Sequence, residues 1–271
     1  MKFIKKVLLI IFLLVITLFI LLQLKRPSNN RDWTVDQAIL PTIAIENGTI
    51  TINNIRNFTY RSPSDYTPGY YDRTFDISQI ETAWFIVEPF SSRGAAHTFV
   101  SFGLNDGSYL AVSVEIRKEK GESFSPWKGL AREYELTYVI ADEKDVIKLR
   151  SNYRKDKVYL YPAQTTPEKA RALFIDMITR AKELQENPEF YNTLISTCTT
   201  NLVSHVNTIV PGRIPFSWKV LLPAYSDELA YKIGLLDNTV PLEELKALHL
   251  INERAEKYAD DPEFSKRIRG L

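Results

Sequence analysis

Residues 7–24 form an apolar run broken only by Thr17 and Gln23, with Lys2, Lys5 and Lys6 before it and Lys25, Arg26 and Pro27 after it. About 18 apolar residues in a helix are enough to cross a bilayer's hydrocarbon. The run is therefore read as a transmembrane helix, and the folded domain must come from the residues after it. No small-x-small cleavage site comes next, and the only cysteine lies too far downstream for a lipobox. An uncleaved anchor is expected rather than a removed signal peptide. Basic residues flank both ends, with a slight excess before the run. The positive-inside rule then puts the N-terminus in the cytoplasm and the rest outside, on the periplasmic side of a cell membrane. Three parts result: an anchor over 1–26, a polar tether over 27–40, and one domain over 41–271. Trp33 is expected near the membrane interface.

The chain of 271 residues is 45% hydrophobic and 25% charged, enough for a sizeable core. Its net charge of +1 gives no bulk attraction to nucleic acid. One cysteine excludes an intrachain disulfide and a cysteine-based zinc site. The three histidines, His97, His205 and His249, are scattered, so neither a metal nor another cofactor is expected. The sequence leaves the oligomeric state open.

Strand patterns come first. Ile43 and Ile45 alternate into Glu46-Asn47-Gly48, then Ile50 and Ile52 continue the alternation, which is a hairpin signal. Residues 61–73, rich in Ser, Pro, Tyr and Asp, read as an irregular loop. Strands are expected over 81–90, 97–102, 108–116, 134–140 and 158–161, with a loop carrying Trp127 over 121–131. Helices come later: one from Pro167 to about Glu186, one after Thr197 ending near Pro211, and two more over 226–236 and 241–258. A loop over 215–223 separates these pairs, and Ser226 is expected as a cap. Strands first and helices after predict an α+β domain, an antiparallel sheet packed with helices.

The chemistry centres on Ser196-Thr197-Cys198-Thr199-Thr200-Asn201. Ser196 or Thr197 can cap the helix, which puts Cys198 in its first turn. Unpaired N–H groups and the positive dipole end there favour a thiolate. A lone cysteine is as often a small buried hydrophobe. A nucleophilic thiol needs a base within hydrogen-bond reach. His205 lies two helical turns on, ~10.5 Å along the axis, too far to serve. His249 sits in an apolar helical pattern. His97, after Arg93-Gly94-Ala95-Ala96, is the candidate base. A three-residue turn at Asn105-Asp106-Gly107 pairs Leu104 with Ser108. It carries Phe99 opposite Ser113, and His97 opposite Glu115, on one face. Glu115 is the candidate orienting residue and Ser113 the reserve. Arg93, Arg117, Tyr191, Asn192 and Asn201 are candidate substrate-binding residues.

These residues also carry a family resemblance. His97-Thr98-Phe99-Val100-Ser101-Phe102 and Cys198-Thr199-Thr200-Asn201 resemble motifs of the Lnb-type periplasmic domain family. So do residues 54–58, 109–117, 132–136, 189–193, 251–255 and 261–265. The resemblance runs from about Ile43 to Arg269. It implies a circularly permuted papain-like (NlpC/P60-like) thiol fold, with Cys198 as nucleophile and His97 as base. It also implies transfer of an acyl chain from a lipoprotein's diacylglyceryl-cysteine to that residue's own amine. The expected partners are thus a membrane and a lipid or lipoprotein. A thiol hydrolase acting on a cell-wall peptide or lipid ester, and a non-catalytic envelope scaffold, are the alternatives.

Overall fold

The computed structural model describes residues 2–91 and 94–271, with the side chains of Lys2, Val15, Leu18 and Phe19 outside that description. Helix α1 spans Lys2–Leu24 and exposes its apolar side chains. Among the described residues no helix is long and apolar enough to cross a membrane. Val15, Leu18 and Phe19, whose side chains are not described, fall inside the apolar stretch of α1.

The strands are β1 (Thr42–Glu46), β2 (Thr49–Arg56), β3 (Thr59–Tyr60), β4 (Tyr66–Thr67), β5 (Tyr70–Asp76), β6 (Ile80–Pro89), β7 (Ala96–Leu104), β8 (Tyr109–Arg117), β9 (Glu135–Asp142) and β10 (Tyr159–Pro162). The further helices are α2 (Pro126–Leu130), α3 (Glu143–Lys148), α4 (Pro167–Glu186), α5 (Cys198–Ile209), α6 (Trp218–Leu221), α7 (Ser226–Lys232), α8 (Leu242–His249), α9 (Asn252–Lys257) and α10 (Phe264–Arg267). An eight-stranded sheet runs β1-β2-β9-β8-β7-β6-β10, with β5 also paired to β2. Its ladders are antiparallel except for β2 beside β9, so the sheet is mixed rather than antiparallel throughout.

Side chains alternate across a strand, and the two faces of β7 carry two different cores. Val100 and Phe102 pack with α4 and α5 through Phe174, Ile178 and Leu202. Phe99 faces the other way, into a layer with Val146, Ile147, Ala255 and Phe264. The domain therefore has helices on both faces of one sheet, an α+β arrangement. Its two predicted turns form as expected. Asn47 and Gly48 both take positive φ, and Glu46 pairs with Thr49. Gly107 takes φ 81°, and Leu104 N–H donates to Ser108 at 2.9 Å. The β7–β8 register then puts Phe99 opposite Ser113 and Ser101 opposite Ala111.

Several expectations fail locally, and the loops expected over 121–131 and 215–223 hold the short helices α2 and α6. Residues 61–73 are not one irregular loop. They hold β4 and the start of β5, whose Phe75 packs against Phe174 under the edge of β2. The helix expected over 241–258 breaks at Leu250, which pairs with Tyr159 while Ile251 N–H donates to Val158. Ser226 lies inside α7 with its hydroxyl on the Pro223 carbonyl. The tether is docked on the domain, so Trp33 is not at a membrane interface in this structure. Trp33 is buried, Thr34 N–H donates to Lys118, and Lys120 N–H donates to Asp32. Arg117 donates to the Gln37 and Ala38 carbonyls and to Asn29 Oδ1, with its guanidinium 4.2 Å from the Trp33 ring centroid.

Candidate active site

The site begins with how α5 starts. Thr197 is the cap: its hydroxyl accepts from Thr200 N–H, and Thr200 Oγ1 accepts from Thr197 N–H in a reciprocal capping box. Asn201 Nδ2 donates to the Thr197 carbonyl and to Ser196 Oγ. Asn192 Oδ1 accepts from Leu194 and Ile195 N–H, folding the turn that delivers the chain into the helix. Asn192 and Asn201 thus build the helix start rather than reach toward a ligand. Cys198 is the first helical residue, and its own N–H and that of Thr199 lie ahead of the helix's hydrogen-bond ladder. Its side chain is buried, and its sulfur lies 3.7 Å from Thr199 Oγ1. Tyr191 is beside it. Burial first, and then the Cys198 sulfur, push the Tyr191 phenol well above its usual range, so the phenol stays protonated.

Thr98 fixes which face this is. Its hydroxyl meets that of Thr199 at 3.0 Å, both side chains buried. His97 precedes Thr98 on the same strand, so its side chain leaves the opposite face. There its Nε2 contacts Ser113 Oγ at 2.7 Å, and its ring stacks on Phe99 with centroids 5.5 Å apart. Ser113 donates to Glu115 Oε1 at 2.9 Å, which leaves Nε2–H as the donor to Ser113. Glu115 lies 3.7 Å from His97 Nε2 and accepts from Arg150 at 3.0 Å. Arg150 in turn holds buried Glu88 at 2.6 Å. The sheet thus brings His97 and Glu115 together, as the predicted register expects, but bridges them through Ser113, with Arg150 on the far side of Glu115. It does not bring Cys198 to them. His97 is not the base for Cys198 in this geometry, because the sheet itself lies between them.

The electrostatics agree with a structural role for that second cluster. Burial, followed by the positive Arg150, lowers the His97 imidazole to a pKa of about 3, so it is neutral. Burial pushes the Glu115 carboxyl up, but Arg150, His97 and Arg56 together hold it far below the usual carboxylate range. The remaining candidates also resolve. Arg117 is 2% exposed and committed to the tether, which corrects its reading as a substrate contact. Arg93 lies outside the described residues. Sequence reasoning missed Arg150, which organises the cluster, because nothing in residues 143–154 signalled a helix facing β7 and β8. It also missed Thr98, although the period of a strand already set it opposite His97.

A cavity of about 140 Å³ runs along α5 on the Cys198 face. Val100, Leu202, Val206 and Leu229 wall it, and Thr199, next to the thiol, is among its lining. Lys169 and Arg213 are its charged lining residues among those described. An apolar cavity of about 150 Å³ admits a benzene-sized ligand. This one therefore encloses roughly six to eight carbons of a chain, not a whole long acyl group.

Fold and site together define an α+β domain that sets a buried thiol at the head of a half-buried helix, beside an apolar cavity. The match to the family model of the Lnb N-terminal periplasmic domain covers residues 66–224, and the chain belongs to that family. It is accordingly an envelope protein whose domain lies outside the cytoplasm. No curated protein and no solved structure matches the chain.

Proposed function

We propose that this protein is a membrane-anchored, extracytoplasmic thiol acyltransferase with a circularly permuted papain-like fold. The substrate in this reading is a lipoprotein bearing a diacylglyceryl-cysteine. One observation carries the proposal: the helix that begins at Cys198 also walls the apolar cavity, so an acyl tail can lie along α5 with its carbonyl at the sulfur. Anchoring by α1 rests on the apolar run 7–24.

In this mechanism Cys198 Sγ attacks the ester carbonyl. A C–S bond forms, the C–O bond to glycerol breaks, and the thiol proton ends on the departing glyceryl oxygen. The lipoprotein's own N-terminal amine then attacks the thioester. A C–N bond forms, the C–S bond breaks, and a proton returns to sulfur. With His97 across the sheet, the proton carrier offered here is that same amine, whose pKa of about 8 suits the task. First-turn N–H groups of α5 supply donors for the carbonyl oxygen. The test is mass spectrometry of a diacylated lipopeptide incubated with the full-length protein in vesicles. The expected product is the N-acyl lyso form, lost with Cys198→Ala.

A second reading is a non-catalytic acyl-binding envelope domain. It is favoured by the separation of Cys198 from His97. Retention of the lipopeptide without any new product, equally in wild type and Cys198→Ala, selects it. Free fatty acid in place of the N-acyl product selects the hydrolase.

A further inference from the structure

We infer that the exposed apolar rim around the start of α5 is a contact face for a phospholipid bilayer carrying anionic headgroups. The rim is assembled from four separate segments. Trp127 on α2 is 78% exposed, Ile195 is 79% exposed, and Leu194, Phe90, Phe124 and Trp218 are exposed beside them in the chain or in space. Ordinary bonds join the segments into one surface. Thr193 Oγ1 donates to the Pro126 carbonyl at 2.7 Å, locking the 193–195 turn to α2. Gly129 sits so close to that turn that a Cβ there would collide with Thr193 Oγ1. Phe90 meets Phe124 edge-on at 6.3 Å. Ala224 N–H donates to Gly94, and Tyr225 packs on Trp218 at 5.3 Å, tying in the fourth segment. A monomer in water rarely keeps so many large apolar side chains exposed together.

Two observations decide the occupant. The first is where α1 joins the domain. Arg132 donates to the Leu22 carbonyl and to Gln23 Oε1, and Lys25 Nζ donates to the Ala131 carbonyl. The residues that receive α1 come directly after the helix that carries Trp127, so any membrane holding α1 lies alongside the rim. The second is charge. Residues 124–132, 192–197 and 213–222 contain no Asp or Glu, but include Lys128, Arg132 and Arg213, while Lys219 is paired with Glu228 at 2.6 Å and Glu133, next to Arg132, with Lys25. Tryptophan together with basic residues is the composition of a membrane interface. Such docking would put the head of α5 at the headgroup level, where a lipid-borne ester arrives.

This inference rests on the reading that α1 anchors the chain, and the test separates the two. The full-length protein is placed in phosphatidylglycerol-containing vesicles with brominated acyl chains, and tryptophan fluorescence is read. The vesicles are then washed with carbonate. Bromolipid quenching is expected, falling by roughly half or more when Trp127 and Trp218 are both replaced by Phe, since interfacial tryptophans dominate such quenching. Buried Trp33 is the internal reference. Quenching that is absent, or unchanged in the double variant, overturns the inference even if the protein survives the wash. Protein that washes off overturns anchoring by α1, while Trp127- and Trp218-dependent quenching read beforehand still supports the docking face. If an unacylated lipoprotein peptide shifts Trp127 emission and lipid does not, the rim is a protein-binding surface and the inference fails.

Discussion

The residue that most changes the picture of this site is Arg150. It is buried between Glu88 and Glu115, and its charge adds to burial, the larger cause, in keeping His97 neutral. Removing one partner of a buried ionic cluster leaves the others uncompensated, at a cost of about 3–5 kcal/mol. Arg150→Met is therefore expected to lower the unfolding free energy by that order, measured by denaturant titration. The histidine has its own signature. Its folded pKa is depressed to about 3, below the unfolded value, so it adds stability above that unfolded value and loses it as pH falls toward 3. Wild type should lose more stability than a folded His97→Gln variant between neutral pH and pH ~4.5; identical pH profiles would show that His97 is not buried neutral. His205 is also shifted down, so the difference is part of the acid response and not all of it. Hairpin register alone correctly set Glu115 on the face of His97. It did not say which face α5 covers, because strand alternation assigns residues to faces only relative to one another. Thr98 meeting Thr199 is the contact that decides it, and that pairing of strand with distant helix has no local trace.

At the scale of elements, the legible parts are those specified by short-range chemistry. Thr197 before Cys198, Pro167 after Thr166, and Asn47-Gly48 each set a boundary that the fold keeps. The illegible parts are those settled by distant partners. Leu250 leaves a good helical pattern because the edge strand β10 takes its backbone. Tyr70 and Tyr71 become strand because β2 offers an edge. The head of α5 gives a testable case. Thr197→Ala removes the cap hydroxyl and should cost ~1 kcal/mol of stability. It should also raise the rate of Cys198 alkylation by iodoacetamide, since fraying the first turn exposes the thiol. Unchanged alkylation would mean that the cap does not control access. His97→Gln, by contrast, should leave the alkylation rate within about two-fold of wild type, because the sheet separates the two side chains.

For the whole molecule, one sheet with helices on both faces divides the labour. The α3 face holds a buried ionic cluster that stiffens β7 and β8, and the α5 face holds the thiol and the cavity. Filling the cavity should act on substrate rather than on fold. Val206→Phe, at the cavity wall, should cost no more than the ~1–3 kcal/mol typical of overpacking. It should also raise KM for long-chain lipopeptides more than for short-chain ones. An equal effect on both chain lengths would put the acyl tail elsewhere.

Catalysis of this kind requires Cys198 to take an acyl group on its own side of the sheet, without His97. Intact-protein mass spectrometry, after acid quenching of a reaction with diacylated lipopeptide, reads this directly. The predicted result is a hydroxylamine-labile acyl adduct that maps to Cys198 and forms in wild type and in a folded His97→Gln variant alike. An adduct that never forms in wild type, or that disappears with His97→Gln, contradicts it.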